Sequence, residues 1–230
     1  MRLSIVLPCF NEEQNIAGTV ADLRSWYMRE GISCEIVAVD DGSIDGTWRV
    51  LQELAAQKQD IRLVQHEHNQ GYGSAVRSGC DAATMDFVGF MDSDGQFKAE
   101  DWSKLLPFLQ EYQYVTGRRL HRADPFIRKL NAKLFGILTF FVLGVWIRDI
   151  NCAMKVWHRE IWPRIRPVHA TGALINAEMF YQLHCLKIPW KTVPVGHYPR
   201  LKGVQTGANL GVILRMFRDL LALRWKGFRR

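Results

Sequence analysis

Asp92 and Asp94 stand two residues apart at the end of an apolar run, in FVGFMDSDGQ. Alternate side chains of an extended segment share a side, so the two carboxylates point into one pocket. Carboxylates held that close repel each other unless a proton or cation intervenes, and a divalent metal with hard oxygen ligands is the usual remedy. Such a metal could bridge the phosphates of a nucleotide sugar and neutralise the diphosphate as it departs. An exposed acidic turn shows the same spacing, so the reading leans on a second acidic loop.

That loop is VDDGSIDGT. Asp40 and Asp41 close a strand-like run, and Gly42, Ser43, Asp45, Gly46 and Thr47 make a tight turn and a helix start in which Asp45 or Thr47 could cap. Neighbouring strand residues face opposite sides, so one of the two acids faces a ligand groove. Asp41 is the one expected to meet the base or ribose of a nucleotide, with Asp40 structural; a turn and cap with no ligand is the alternative. A third loop, HNQGYGSAVRSG, invites comparison with phosphate-binding loops and fails it. It lacks the Gly-Lys followed by Ser or Thr of a Walker loop, and Val76 stands where the dinucleotide fingerprint needs glycine. Gly71 and Gly73 are expected instead to permit a turn and a close helix approach at the pocket floor.

The elements that must position these loops alternate. Leu3 to Pro8, Cys34 to Asp40, Ile61 to His66 and Phe87 to Asp92 are short, branched and apolar, whereas Glu12 to Arg29, Thr47 to Lys58 and Tyr72 to Ala83 carry apolar residues at helical spacing. This alternation predicts an α/β fold with a mostly parallel central sheet and helices on both faces. Ligands bind beyond the carboxyl ends of such strands, which is where the unusual loops lie. With 230 residues the chain suffices for one core, expected over 1–208, followed by a basic amphipathic helix over 209–230.

Charge and cysteine content narrow the setting. A net charge of +7 is concentrated in Arg118, Arg119, Arg122, Arg128, Lys129 and Lys133, and again in Arg215, Arg218, Arg224, Lys226, Arg229 and Arg230. Such clusters favour an anionic partner: nucleic acid, phospholipid headgroups or a phosphorylated substrate. The five cysteines are odd in number, dispersed and without a CxxC pair, and are expected as buried thiols in a reducing compartment. The opening MRLSIVLPCFNEE has no signal-peptide pattern, so a cytoplasmic location is expected. The uncharged run from Leu134 to Ile147 is shorter than the roughly 20 residues that span a bilayer, which predicts a core helix or an interfacial one and no transmembrane span. Near the C-terminus, Val212, Ile213, Met216, Phe217, Leu220, Leu221 and Leu223 form one apolar face opposite arginines, as in an interfacial helix or one packed on the domain.

Taken in order, PCFNEE, VDDGSIDGT, NQGYGSAVRSG, DSDGQ, VTGRR and RDINCAMK resemble the family 2 glycosyltransferases of the GT-A fold, within them the dolichol-phosphate mannosyltransferase and bacterial polyprenyl-phosphate glycosyltransferase group. The resemblance runs from about Leu3 to Gly203. It implies that Pro8, Phe10 and Glu12, with Val39 and Asp41, line the nucleotide pocket, Phe10 replacing the commoner Tyr. It further implies that Asp92, Ser93 and Asp94 form the acidic segment, with Asp94, Gln96 and Asp92 holding Mg2+ or Mn2+. Arg119, Arg128 and Arg200 would meet the diphosphate, guanidinium groups being permanently charged and bidentate toward phosphate. Asp149 would lie beside the reacting sugar, orienting the acceptor or acting as a base; a salt bridge with Arg148 or Lys155 is the alternative.

The implied reaction is inverting transfer of a hexose from a GDP-mannose or UDP-glucose type of donor to a polyprenyl or dolichyl phosphate at the inner membrane face. A soluble glycan or glycolipid hydroxyl is the second acceptor class. A non-catalytic nucleic-acid-binding protein is disfavoured, because no segment resembles a nucleic-acid module. The chain departs from the family at RLKGVQTGAN, which keeps Arg200 and Gly203 but has Gln205 and Thr206 where many relatives have Ser-Lys. Many relatives also continue into paired transmembrane helices. Here, peripheral contact is expected to come from the basic clusters and two apolar helices, or from a membrane partner or homo-oligomer.

Overall fold

The computed structural model describes residues 1–120, 126–170, 172, 174–200, 202, 220, 221 and 223–225, with the backbone alone for 126–133. In its first half β1 (Arg2–Cys9), α1 (Ile16–Arg29), β2 (Ser33–Asp40), α2 (Thr47–Gln57), β3 (Ile61–Gln65), α3 (Tyr72–Ala82) and β4 (Phe87–Phe90) alternate as the apolar spacing predicts. The largest differences in boundary are two: β4 ends at Phe90 rather than Asp92, which leaves Asp92 and Asp94 in the loop beyond it, and α1 begins at Ile16 rather than Glu12. The Glu12 carbonyl accepts the N–H groups of Asn15 and Ile16 in a preceding turn, and Asn11 holds φ +56, which is incompatible with a helix.

The second half contributes α4 (Trp102–Leu105), β5 (Tyr114–Arg119), α5 (Phe126–Leu143), β6 (Lys155–His158), α6 (Trp162–Ile165), α7 (Ile175–Cys185) and β7 (Trp190–Val195). The strands order as β3-β2-β1-β4-β6-β5-β7. β1 pairs in parallel with β2 and β4, β2 with β3, and β5 with β7; β6 alone runs antiparallel, to both β4 and β5. The sheet is therefore mostly parallel. Its central strand β1 buries every residue but the first, the continuous apolar pattern of a strand covered on both faces. Because β6 runs backwards beside β4, with Lys155 opposite Phe90, the segment just before Lys155 emerges at the same end of the sheet as Asp92 and Asp94.

Close packing of α3 on this sheet depends on Gly79. A Cβ there would lie 2.3 Å from Val6 Cγ1 and 2.9 Å from Val39 Cγ2, both in the core. Gly18 in α1 has nothing within 4 Å of the same position. Opposite outcomes are expected: Gly79→Ala destabilises by about 1–3 kcal/mol through overpacking, and Gly18→Ala stabilises by about 0.5 kcal/mol through helix propensity. Urea unfolding of the two variants checks the pair, and equal effects would remove the packing argument.

The apolar run of α5 is divided between core and surface. Phe135, Thr139, Leu143 and Val145 are buried in the core, while Leu134, Phe140, Phe141 and Trp146 are exposed, Phe141 by 78%. Gly144, at φ +74, ends the helix in the left-handed conformation with its N–H on the Phe140 carbonyl. Among the described residues no helix is long and apolar enough to cross a membrane. Of the C-terminal segment, residues 220, 221 and 223–225 are helical; Leu220 and Leu223 join the core and Leu221 and Trp225 are exposed. Val212, Ile213, Met216 and Phe217 lie outside the described residues. The cysteines form no disulfide, but the expectation of uniformly buried thiols needs correcting. Cys9, Cys80 and Cys152 are buried, Cys34 is half-buried, and Cys185 is exposed where α7 ends.

Candidate active site

The loops that follow β1 and β2 are stitched to each other. Asn11 N–H donates to Ser43 Oγ at 3.0 Å, Ile44 N–H to Asn11 Oδ1 at 3.0 Å, Glu12 N–H to Thr47 Oγ1 at 2.8 Å and Gly46 N–H to Glu13 Oε2 at 3.1 Å. Asp45 accepts the Thr47 N–H at the head of α2. Pro8 and Glu12 are buried and Phe10 is half-buried on this wall. Val39, expected at a nucleotide pocket, is instead fully buried beneath α3 at Gly79, so its side chain belongs to the core.

The two acids of the second loop divide their labour. Asp40 is fully buried and accepts the Ser43 N–H, closing its own turn. Asp41 joins the second loop to the third: it accepts the N–H groups of Gln70 and Gly71, both at 2.9 Å, and pairs with His66 Nδ1 at 2.6 Å. His66 Nε2 in turn meets Ser78 Oγ of α3 at 2.9 Å. Gly71 holds φ +96 at the start of α3, a conformation natural to glycine. Sequence reasoning missed His66, since nothing in its local pattern marks the residue that links a strand end to a facing loop.

The third and fourth loops meet at Asp92. Tyr72 Oη donates to Asp92 Oδ1 at 3.0 Å. Desolvation in the groove, followed by the charge of Asp94, holds the Asp92 carboxyl well above the usual carboxylate range. Burial and the Asp92 charge likewise push the Tyr72 hydroxyl up. The two aspartates thus share one electrostatic site, as their spacing predicts. Ser93 between them points the other way, donating to the Pro8 carbonyl at 2.7 Å. Asp94 accepts the Gln96 N–H at 3.0 Å, and the Gln96 amide donates to the Tyr198 carbonyl, with Tyr198 N–H returning to the Gln96 carbonyl.

This donor set fits a divalent cation. Asp92, Asp94 and Gln96 supply hard oxygens, and two crowded carboxylates gain from added positive charge. Among the described residues there is no group of three or more His, Cys, Asp or Glu side chains suited to a metal. A pair of carboxylates that leaves coordination open for phosphate oxygens is the arrangement magnesium-type ions adopt with nucleotides.

Two arginines converge here from distant parts of the chain. Arg119, at the end of β5, grips Asp149 through Nε at 2.9 Å and Nη2 at 2.6 Å, and its backbone N–H donates to the same carboxylate at 2.9 Å. Among the described residues Asp149 bridges to Arg119, where the alternative named Arg148 or Lys155. Arg200 pairs with Glu12 Oε1 at 2.6 Å and approaches Asp94 Oδ2 at 3.5 Å, while its Nε donates to the Lys202 carbonyl. Arg128 lies on α5 where only the backbone is described, and Gly203, Gln205 and Thr206 lie outside the described residues. Under the site sits Lys155, fully buried, its ammonium donating to the carbonyls of Ile150 and Cys152 and facing the rings of Phe90 and Phe180. Burial pulls its pKa down to about 8. Its signal in the sequence, one lysine ahead of an apolar strand, is indistinguishable from a surface charge.

Comparisons with known proteins bear on the family and the fold. The family model described as glycosyl transferase family 2 matches residues 4–166. The chain is 28% identical over 233 residues to a dodecaprenyl-phosphate galacturonate synthase of Rhizobium johnstonii, covering 98% of this chain and 68% of that protein. It is 27% identical over 246 residues to a dolichyl-phosphate beta-glucosyltransferase of Mus musculus, covering 97% and 75%. Among solved structures, glucosyl-3-phosphoglycerate synthase from Mycobacterium tuberculosis, in complex with Mn2+, UDP-glucose and phosphoglyceric acid, superposes with a TM-score of 0.74 at 20% identity, covering 97% and 80%. That likeness speaks to the fold, which is GT-A.

Proposed function

The chain belongs to glycosyl transferase family 2, and from that premise we infer that it moves a hexose from a nucleotide diphosphate sugar to a polyprenyl phosphate at the inner membrane face, inverting the anomeric carbon. The observation that carries this reading is the convergence of Arg119 and Arg200 on the Asp92 and Asp94 pair. Asp92, Asp94 and Gln96 would hold Mg2+ or Mn2+, which would supply positive charge against the diphosphate. Pro8, Phe10 and Glu12 wall the nucleotide, and Asp41 fixes the loop that faces its base or ribose. Arg119, oriented by Asp149, and Arg200, held by Glu12, bring positive charge to the diphosphate and stabilise the charge that grows as the bond to the anomeric carbon breaks.

The state of Asp149 favours a phosphate acceptor. A carboxylate holding a guanidinium through both oxygens is a weak base. A phosphate acceptor is already anionic near neutral pH and attacks without one, whereas a hydroxyl acceptor needs its proton taken. Asp149 then serves as a positioning residue for Arg119. The relatives named for dodecaprenyl and dolichyl phosphates support the same acceptor class. Label from UDP-glucose or GDP-mannose, supplied with Mn2+, is expected in the organic phase when short-chain polyprenyl phosphate is the acceptor. Transfer to 3-phosphoglycerate alone would overturn the lipid acceptor and leave the sugar chemistry standing.

Contact with the membrane is assigned to the aromatic patch after Leu134. Phe140 meets Phe141 and Trp146 edge to face, and Arg148 is exposed alongside. Apolar side chains rimmed by arginine suit an anionic lipid surface. Joint substitution Phe141→Glu and Trp146→Glu is expected to weaken sedimentation with anionic vesicles about tenfold or more while leaving nucleotide binding unchanged; unchanged sedimentation would move the contact elsewhere.

A further inference from the structure

We propose that Asn176, braced by Asn151, is the subsite that receives a hydroxyl of the transferred sugar; this rests on the donor reading above. Asn176 is the second residue of α7, only 2% exposed, and its Oδ1 has no hydrogen-bond partner. Its Nδ2 donates to Asn151 Oδ1 at 3.4 Å. A buried amide oxygen left without a donor costs about 1–3 kcal/mol, so the site is built for something that completes it.

The location identifies the occupant. Asn151 follows Asp149 by two residues, in the segment that leads into β6 at the Asp92 end of the sheet. The carbonyls of its neighbours Ile150 and Cys152 are held by the buried Lys155 ammonium, so the segment is pinned. α7 is pinned as well. Glu178, fully buried, accepts the N–H groups of Val168, His169 and Ala170 and so ties the preceding loop to the helix. Asp149, two residues before Asn151, is held by Arg119 through Nε at 2.9 Å and Nη2 at 2.6 Å, which sets this segment beside the arginine assigned to the diphosphate.

Chemistry selects a hydroxyl. Exchanging oxygen and nitrogen in both amides lets Asn176 accept from Asn151 but orphans its Nδ2 instead, and a hydroxyl, donor and acceptor at once, satisfies either arrangement. The pair is neutral, and the nearby Glu178 carboxylate is already spent on backbone donors. The subsite therefore takes an uncharged ring substituent and disfavours a carboxylate there.

The test pairs two variants with deoxy donors. In Asn176→Ala, binding of UDP or GDP with Mn2+, measured by calorimetry, is expected to stay within about twofold, while kcat/KM for the matching UDP-glucose or GDP-mannose falls about 10–100-fold. One deoxyfluoro form of that donor is expected to lose a similar factor with the natural sequence and little more with Asn176→Ala. Asn151→Ala, at a partly exposed position, shows the same pattern more weakly if Asn176→Ala fails to fold. Equal losses for nucleotide and nucleotide sugar, or deoxy penalties identical in variant and natural chain, would mean that the amide holds only water. Absence of transfer from every nucleotide sugar would instead overturn the donor reading on which the subsite rests.

Discussion

Asp94→Asn is expected to lower kcat/KM for sugar transfer about 10³-fold and to abolish calorimetrically detectable Mn2+ binding at millimolar concentration. The substitution keeps size and shape, and the amide oxygen can still accept the Gln96 N–H that Asp94 accepts at 3.0 Å. What it removes is the charge that faces Arg200 at 3.5 Å and shares the groove with Asp92. Removing one preorganised electrostatic contact to a departing group typically costs 10²–10³ in rate, roughly 3–4 kcal/mol, and a lost metal ligand adds to it. Thermal melting should move little, since relieving two crowded carboxylates offsets a lost ion pair. Full activity with intact Mn2+ binding would remove Asp94 from the reaction.

Arg119→Met is expected to cost transfer a similar factor, about 10³, and Asp149→Asn about 10², with the double variant no worse than Arg119→Met alone. The reason is the geometry of the pair: one guanidinium and one backbone N–H meet a single carboxylate, with side-chain exposures of 10% and 8%. If Asp149 works by orienting Arg119, its loss has nothing further to damage once Arg119 is gone, and residues acting as a unit are non-additive. Multiplicative losses, or a larger cost from Asp149→Asn than from Arg119→Met, would restore Asp149 as an independent base and with it the hydroxyl acceptor. Both readings use kcat/KM against a polyprenyl phosphate acceptor, with melting temperature as the control for folding.

The parts of the site legible in the sequence are those fixed by local periodicity. β1 to β4 fall within about two residues of the apolar runs; β1, β2 and β4 are buried on both faces and keep a nearly unbroken apolar pattern, whereas β3, at the sheet edge, is half-buried and interrupts it with Arg62 and Gln65. Asp92 and Asp94 are legible from their spacing, although β4 ends at Phe90 and both stand in the loop beyond it. By contrast, the Arg119 to Asp149 and Arg200 to Glu12 pairs join residues 30 and 188 positions apart. They depend on strand order, and the antiparallel insertion of β6 between β4 and β5 leaves no periodic signature in a four-residue strand. The resemblance to the family marked Arg119, Asp149 and Arg200 as site residues without showing which groups they hold. Tyr72, His66 and Asn176 escaped notice for the same reason, and Lys155 was named only as a salt-bridge partner: each matters through a partner brought up by another element.

The bond between Glu12 and Arg200 also sets an order of events during synthesis. The strands β1 to β4 are encoded within residues 2–90, so the acidic loops are synthesised while the rest of the chain is still being made. Arg200 arrives 188 residues after the glutamate it holds. Domains form in step with elongation at about 5–20 residues per second, which separates the two by on the order of ten seconds or more. Until that arginine clears the ribosome, Glu12 is without its guanidinium, and a stalled or clipped chain lacks one of the arginines proposed to hold the diphosphate.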